Sequence, residues 1–284
     1  GLDYSVSKKT TVGIVLNGYY NPSTWESVTN TSIYNPDQIL TNKTKAVTRN
    51  DEKWKNFSGN FNFRTVLDSA GQELTADFDY IQYRSSSEQP LTSYYFDNMN
   101  NQIREPELLF GTLPSNIHIY SGKIDYALPL KHGAKFEAGL KSSFVKTDNN
   151  ARYDSLKTGY SVLDSGRSNH FMYDENINAA YVNYSRPLGK KWSAQLGLRL
   201  ENTNANGNSA GYTFNSQENR FKSTNTKFSR NYTQLFPTAY IQYTANEKNQ
   251  FVINYGRRLE RPNYEDMNPF VHFLDRYTFE QGNP

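Results

Sequence analysis

Trp192-Ser193-Ala194-Gln195-Leu196-Gly197-Leu198-Arg199-Leu200-Glu201-Asn202 alternates without a break. In an extended chain Trp192, Ala194, Leu196, Leu198 and Leu200 fall on one side. Ser193, Gln195, Gly197, Arg199 and Glu201 fall on the other. Nearly all the apolar bulk sits on one face at a period of two, which predicts a strand with an apolar medium on one side only. The stretch 73–82 repeats the pattern, with Leu74, Ala76, Phe78 and Tyr80 opposing Glu73, Thr75, Asp77 and Asp79. Weaker copies run through 11–20, 53–67, 115–128, 135–145, 175–186, 233–244 and 250–259.

Tight polar turns separate these stretches at 7–9, 68–71, 131–133, 188–190 and 246–249. Between successive turns lie long polar segments at 21–50, 85–114, 148–170 and 204–230, which read as loops. With a short strand at 2–6 the count is about ten strands in five hairpins, each of roughly 9–14 residues. A tilted membrane strand needs about 9–11 residues, whereas soluble strands are commonly about 5–6. Short turns at one end and long loops at the other predict an all-β fold, part of an antiparallel up-and-down transmembrane β-barrel with short periplasmic turns and long outer loops. The aromatics Trp25, Trp54 and Trp192 are expected in its interfacial girdles. The soluble counterpart is a two-sheet protein whose alternating faces pack on each other.

Composition agrees. The chain of 284 residues holds 22 Tyr and 17 Phe, residue types that suit strands and membrane girdles. Hydrophobic content is 36% and mean hydropathy −0.81, too polar for a helical membrane protein, and no run nears the roughly 18 apolar residues of a spanning helix. A barrel strand meets lipid only at alternate residues, so low hydropathy does not exclude it. The net charge of +3 is spread along the chain and forms no basic stripe, which argues against a nucleic-acid partner. No cysteine is present, so disulfides and thiolate metal sites are excluded. No signal-peptide pattern follows Gly1, so a removed leader or an internal piece of a longer chain is expected.

Chemistry-bearing motifs are scarce. His118, His132, His170 and His272 lack metal-ligand spacing, and neither a nucleophile elbow nor a phosphate-binding glycine loop occurs. Asp77 and Asp79 share a strand face, as acid–base or Ca²⁺ carboxylates would, but as part of a lumen lining they need be no more than polar cover. The run 97–101 is Asx-rich without the EF-hand pattern. No enzyme, cofactor or metal is expected. If the apolar face meets lipid, Asp77, Asp79, Arg199 and Glu201 point into the lumen, where they can pair, hold water or touch a plug or substrate.

The last third carries a more specific signal. Phe236-Pro237 lies in one strand, Tyr255 and Arg258 at the end of the next, then come Arg261-Pro262, Asn268-Pro269-Phe270 and Gly282-Asn283-Pro284. In this order and spacing the chain resembles the TonB-dependent-receptor-like outer-membrane proteins abundant in Bacteroidetes. A strong match covers about fifty residues, and the motif residues read as structural, the prolines marking where chain leaves the sheet. The resemblance implies a larger barrel of about twenty-two strands, with 1–284 part of that single domain. A plug, an N-terminal region and closing C-terminal strands would lie outside it. The implied partners are outer-membrane lipid, the plug, a TonB complex, a surface lipoprotein and an unknown nutrient ligand.

The expected role is therefore a receptor and transporter in the Gram-negative outer membrane, importing a bulky nutrient by TonB-dependent uptake, with ligand contacts on the long loops. Two alternatives stand beside it: a non-transporting surface-binding or assembly protein on the same barrel, and a soluble β-sheet carbohydrate-binding module. The module predicts that Leu196, Leu198 and Leu200 are buried against a second sheet. The barrel predicts that they are exposed.

Overall fold

The computed structural model describes residues 1–157, 159–261, 271–273 and 279–281. Their architecture is one antiparallel sheet. Its strands are β1 (Leu2–Ser5), β2 (Thr10–Tyr34), β3 (Leu40–Val66), β4 (Glu73–Asp97), β5 (Glu107–Pro129), β6 (Lys135–Lys157), β7 (Tyr160–Leu163), β8 (Asn169–Leu188), β9 (Trp192–Asn215), β10 (Arg220–Asn246) and β11 (Asn249–Gly256). Each long strand pairs with its neighbour in sequence, β7 is a short addition beside β6, and the sheet is open at β1 and β11. A separate pair joins β12 (Val271–Phe273) to β13 (Phe279–Gln281).

All five tight turns fall where the sequence places them. Ser7 caps the first through its hydroxyl and Asp68 the second through its carboxylate. The turn at Lys131–Gly133 is a single 3₁₀ turn with His132 at φ 61°. That left-handed conformation is open to Asn, Asp and His more readily than to bulkier residues.

The register assigns every strand residue to a face. Val12, Phe63, Ala76, Ile124, Leu140, Ala180, Leu200 and Leu235 form one unbroken row across eight strands. On this face the large apolar side chains stand exposed, Leu196 at 62% and Phe78 at 52%. The other face is polar and more enclosed. Thr44, Asn50, Ser87, Thr147, Phe171, Tyr173, Thr203 and Phe236 are all buried, and all lie on it. Apolar groups outside and polar groups inside invert the usual soluble arrangement and match a barrel wall. The exposure of Leu196, Leu198 and Leu200 also removes the soluble-module reading, which required that face to be covered.

The apolar band slides along the strands. Leu16, mid-band in β2, shares its row with Gly59, Tyr80, Tyr120, Phe144, Asn176 and Asn204. In β9 the band is instead centred on Leu196, about eight residues nearer the short turn than Asn204. A slide of about eight residues over six strand steps, at ~3.3 Å per residue and ~4.8 Å per step, makes the band level only if the strands tilt by roughly 40°. Aromatic rings edge the band. Phe57, Tyr80 and Tyr120 lie in contact at its outer border, with centroids 6.4 and 5.1 Å apart, and Trp192 packs on Tyr243 at 4.5 Å near the short turns.

Several expectations are corrected. The segments 21–50, 85–114, 148–170 and 204–230 are mostly paired strand rather than loop, so the long strands run to 20–27 residues. Beyond the band the apolar face also gives way to polar residues that meet water, so alternation fades while the ladder hydrogen bonds persist. Trp25 and Trp54 lie on the polar face, opposite Asn50 and Asn21 in the register, so of the three tryptophans only Trp192 joins a girdle. Pro237 sits inside β10, not at its end; its row is the one where β11 peels away, and its carbonyl accepts from the Arg257 amide.

The facing yields a direct test. Leu196→Arg should destabilise the folded protein in bilayers by about 2–4 kcal/mol, as for a cation at mid-membrane on the lipid side. Gln195→Arg, on the opposite face, should cost far less. Urea titration of vesicle-embedded protein reads both, and equal losses would remove the assignment of faces.

Candidate functional site

The polar face is built to hold charge. Asp77, Asp79, Arg199 and Glu201 all lie on it, because in an antiparallel ladder directly opposed residues share a face. Asp77 is linked through Lys123, Lys141 and Ala179 to Glu201 in one row. The four do not converge. Asp79 accepts from Asn60 Nδ2 at 2.7 Å, and Lys123, directly across from Asp77, gives its ammonium to Asp125 at 2.6 Å.

Arg199 and Glu201 do come together, and a third residue joins them. Arg199 Nε donates to Glu201 Oε1 at 2.5 Å. Arg261 Nη2 donates to Glu201 Oε2 at 2.6 Å and to Thr203 Oγ1 at 3.3 Å. After β11 the chain turns back over the polar face to bring Arg261 there, sixty residues from Glu201 in sequence. The motif reading treated Arg261 as structural; here it forms an ion pair inside the wall. Nothing in the local sequence signals that contact. Phe236 is buried on the same face with the Arg257 guanidinium 5.7 Å over its ring, and Tyr255 stands exposed on the apolar one. Pro262, Asn268, Pro269, Phe270, Gly282, Asn283 and Pro284 lie outside the described residues.

The network extends along the wall. Arg199 stands over the Tyr181 ring at 5.2 Å, and the Tyr181 hydroxyl donates to Asp125. To reach Asp125, Tyr181 crosses β6 at Gly139, where an added Cβ would lie 2.4 Å from the ring. Phe228 over Gly207 and Tyr153 over Gly111 repeat the device, each ring covering the glycine directly opposite. A ring laid over a cross-strand glycine covers bare backbone. A groove of about 400 Å³ opens beside this cluster, lined by Tyr181, Asn183, Arg199, Phe236, Arg258 and Leu259 among others. Glu201 lines it too, its carboxylate already held by Arg199 and Arg261, so guanidinium and aromatic groups make up the rest of the polar wall. Among the described residues no group of His, Cys, Asp and Glu could hold a metal ion.

The hairpin tips beyond the band are ordered by side chains. Asp97 accepts from the Met99 amide at 2.9 Å and from the Asn101 amide at 2.8 Å, and Asn101 Nδ2 donates to its second oxygen at 2.9 Å. The Asx-rich run at 97–101 is thus a turn that consumes its own carboxylate. Those bonds, the Asn101 side chain first, hold the Asp97 carboxyl below its ordinary value.

A tilted, apolar-out and polar-in antiparallel wall with tight turns at one end defines an outer-membrane barrel. The chain belongs to the outer membrane protein β-barrel family, whose model matches residues 65–284. No curated protein matches it. Among solved structures, it is similar to the ferric-catecholate import receptor Fiu of Escherichia coli K12 in its closed form, at 10% identity and a TM-score of 0.43, over 90% of this chain and 47% of that one. The ferric yersiniabactin uptake receptor FyuA of Yersinia pestis gives 9% and 0.40, over 86% and 42%. The siderophore receptor PiuA of Acinetobacter baumannii gives 12% and 0.36, over 85% and 48%. The chain spans about half the length of these receptors. Identities this low carry no ligand or partner across.

Two outcomes are expected. Glu201→Gln leaves two guanidiniums without their carboxylate and should cost roughly 1–3 kcal/mol, less than a fully buried pair would. In a double-mutant cycle with Arg261→Gln the losses should fall short of additive; simple additivity would mean the pair is uncoupled. At the β4–β5 tip, the depressed Asp97 value means its contribution is complete above the unfolded value of about 3.9 and is lost as pH falls through the lower folded value. Corrected amide exchange at Met99 and Asn101 should stay level from neutral pH down to that value and rise below it, and Asp97→Asn should show the faster exchange already at pH 7.

Proposed function

We propose that this chain forms part of the wall of an outer-membrane receptor that imports a bulky nutrient, working by capture and gated passage rather than by covalent chemistry. The observation that carries the reading is the connected polar network Lys123–Asp125–Tyr181–Arg199–Glu201–Arg261 on the face opposite the exposed apolar band. A wall that serves only as an anchor has no need of a charged, aromatic-lined interior. On this reading Asp77, Asp79, Arg199 and Glu201 line the lumen, and the apolar face meets lipid. Ligand capture falls to the interior and to the extended hairpins, whose tips the β-ladder holds well clear of the membrane.

The resemblance in the last third adds the energy source to the proposal: a plug inside the barrel and a TonB complex acting on it, with a surface lipoprotein as a lid. A barrel of the same design without these parts would bind or scaffold at the cell surface. That alternative keeps the same wall and differs only in coupling.

Uptake measurements separate the two. Deleting the full-length gene should abolish accumulation of at least one labelled nutrient from a panel of iron chelates, peptides, glycan oligomers and vitamins. Dissipating the proton gradient in the wild type should abolish accumulation while leaving surface binding intact. Binding without energised accumulation for every nutrient would sink transport and leave the surface-binding role.

A further inference from the structure

Where β11 gives out, the polar face gathers more guanidiniums than it can neutralise. β11 ends at Gly256, in the row of Thr238 and Gly197, next to Leu196 at the centre of the apolar band in β9. The chain then passes over the polar face, and Arg257, Arg258 and Arg261 all reach the groove beside Tyr181, Arg199 and Glu201. The Glu201 carboxylate is shared by Arg199 and Arg261. Arg257 has only neutral company: its Nη1 donates to the Leu235 carbonyl at 3.1 Å, and its guanidinium stands over the Phe236 ring. Arg258 is exposed and makes no hydrogen bond, ion pair or ring contact among the described residues. Nε of Arg261 is buried without an acceptor.

The other charges of this face, from β5 to β11 at the level of the groove, cancel. Asp125 is held by Lys123 at 2.6 Å and Glu137 by Lys135 at 2.5 Å. Glu175, bonded by the Tyr173 hydroxyl, is matched by the exposed Lys141. Four guanidiniums therefore line the groove against the single carboxylate of Glu201. Exposed Glu260, next to Arg261 but outside the lining, lowers the surplus to two positive charges.

Depth and lining decide what this surplus takes. At mid-membrane depth a guanidinium without a counter-charge is costly, and such groups mark binding and transit sites. A free guanidinium fork matches a carboxylate or a phosphate through two parallel hydrogen bonds. Phe236, Tyr181 and Leu259 give the groove an aromatic and apolar side next to that fork. We propose that the groove is a subsite for an anionic group, carboxylate or phosphate, borne on a flat apolar part of the imported molecule. Arg258 is its principal donor, Arg257 stands beside it, and the rings take the apolar part. The inference rests on the proposal that this face lines the lumen, where the groove lies on the path of passage, well inward of the hairpin tips. It narrows the nutrient to one that carries negative charge.

The test uses the full-length protein in neutral detergent and 4-fluorobenzoate as the probe, with binding read from fluorine relaxation against a protein-free micelle control. The wild type should bind the probe saturably. Arg258→Gln should weaken binding about tenfold, the worth of one charge-assisted pair. Arg258→Lys keeps the charge without the fork and should show a smaller loss. 4-Fluorobenzamide, of the same shape without the charge, should bind the wild type as weakly as the benzoate binds Arg258→Gln, and excess inorganic phosphate should displace the benzoate. If Arg258→Gln fails to assemble, the benzamide and phosphate arms decide on the wild type alone. Equal affinity of wild type and Arg258→Gln, equal affinity for benzoate and benzamide, or no displacement by phosphate overturns the site. No saturable binding by the wild type overturns a small molecule as the occupant and leaves the groove to a carboxylate of the receptor itself. The two readings fail separately: absence of energised uptake leaves probe binding untouched, and a null result with the probe leaves transport standing.

Discussion

Hydrocarbon offers no partner to a backbone N–H or C=O, and the rest of this structure depends on that constraint. Each unsatisfied group would cost several kcal/mol, so every strand that crosses the apolar band must give both of its edges to neighbours. Sequential pairing follows, because short turns bring consecutive strands together with the smallest loss of chain entropy. The pleat then fixes the chemistry of the faces. Once β9 turns Leu196, Leu198 and Leu200 to the apolar face, Gly197, Arg199 and Glu201 have nowhere to go but the opposite one. The charged face is thus a by-product of the same alternation that satisfies the membrane.

What could be read in the sequence follows from this. Where lipid selects one face, alternation is sharp, and Trp192 to Leu200 or Leu74 to Tyr80 declare their orientation unaided. The tight turns are equally legible, since Asp68, Gly71, Gly133 and Gly189 answer local backbone needs, the three glycines at positive φ. Legibility stops at the edge of the band. Beyond Tyr20 or Tyr80 the outer face is wetted too, Asn, Ser and Thr serve on either face, and the chain reads as loop while the ladder continues. The side assigned to Trp25 and Trp54 was lost for the same reason: an aromatic residue in a polar stretch carries no parity.

The candidate site was half legible. The pairing of Arg199 with Glu201, two apart on a known face, needs only the strand. The arrival of Arg261 needs the chain to fold back after β11, and no residue near either partner announces that. The glycine gaps are a third kind of case. Gly139 is unremarkable until Tyr181 lies across it to reach Asp125. Such contacts depend on register between strands, which one sequence does not print.

The continuation of paired strands past the membrane changes how the outer part of the molecule meets the world. A loop of thirty residues would be a flexible target, open to any protease and free to wrap a ligand. Here most of the same residues are bound into a β-ladder, and among the described residues the tips at 35–39, 98–106 and 216–219 are the cleavable turns of three of these hairpins. The result is a stiff palisade rather than a set of tentacles. Neighbouring hairpins are bonded to one another as well, so change is tolerated best at the tips and at outward-facing side chains, where no ladder bond is at stake.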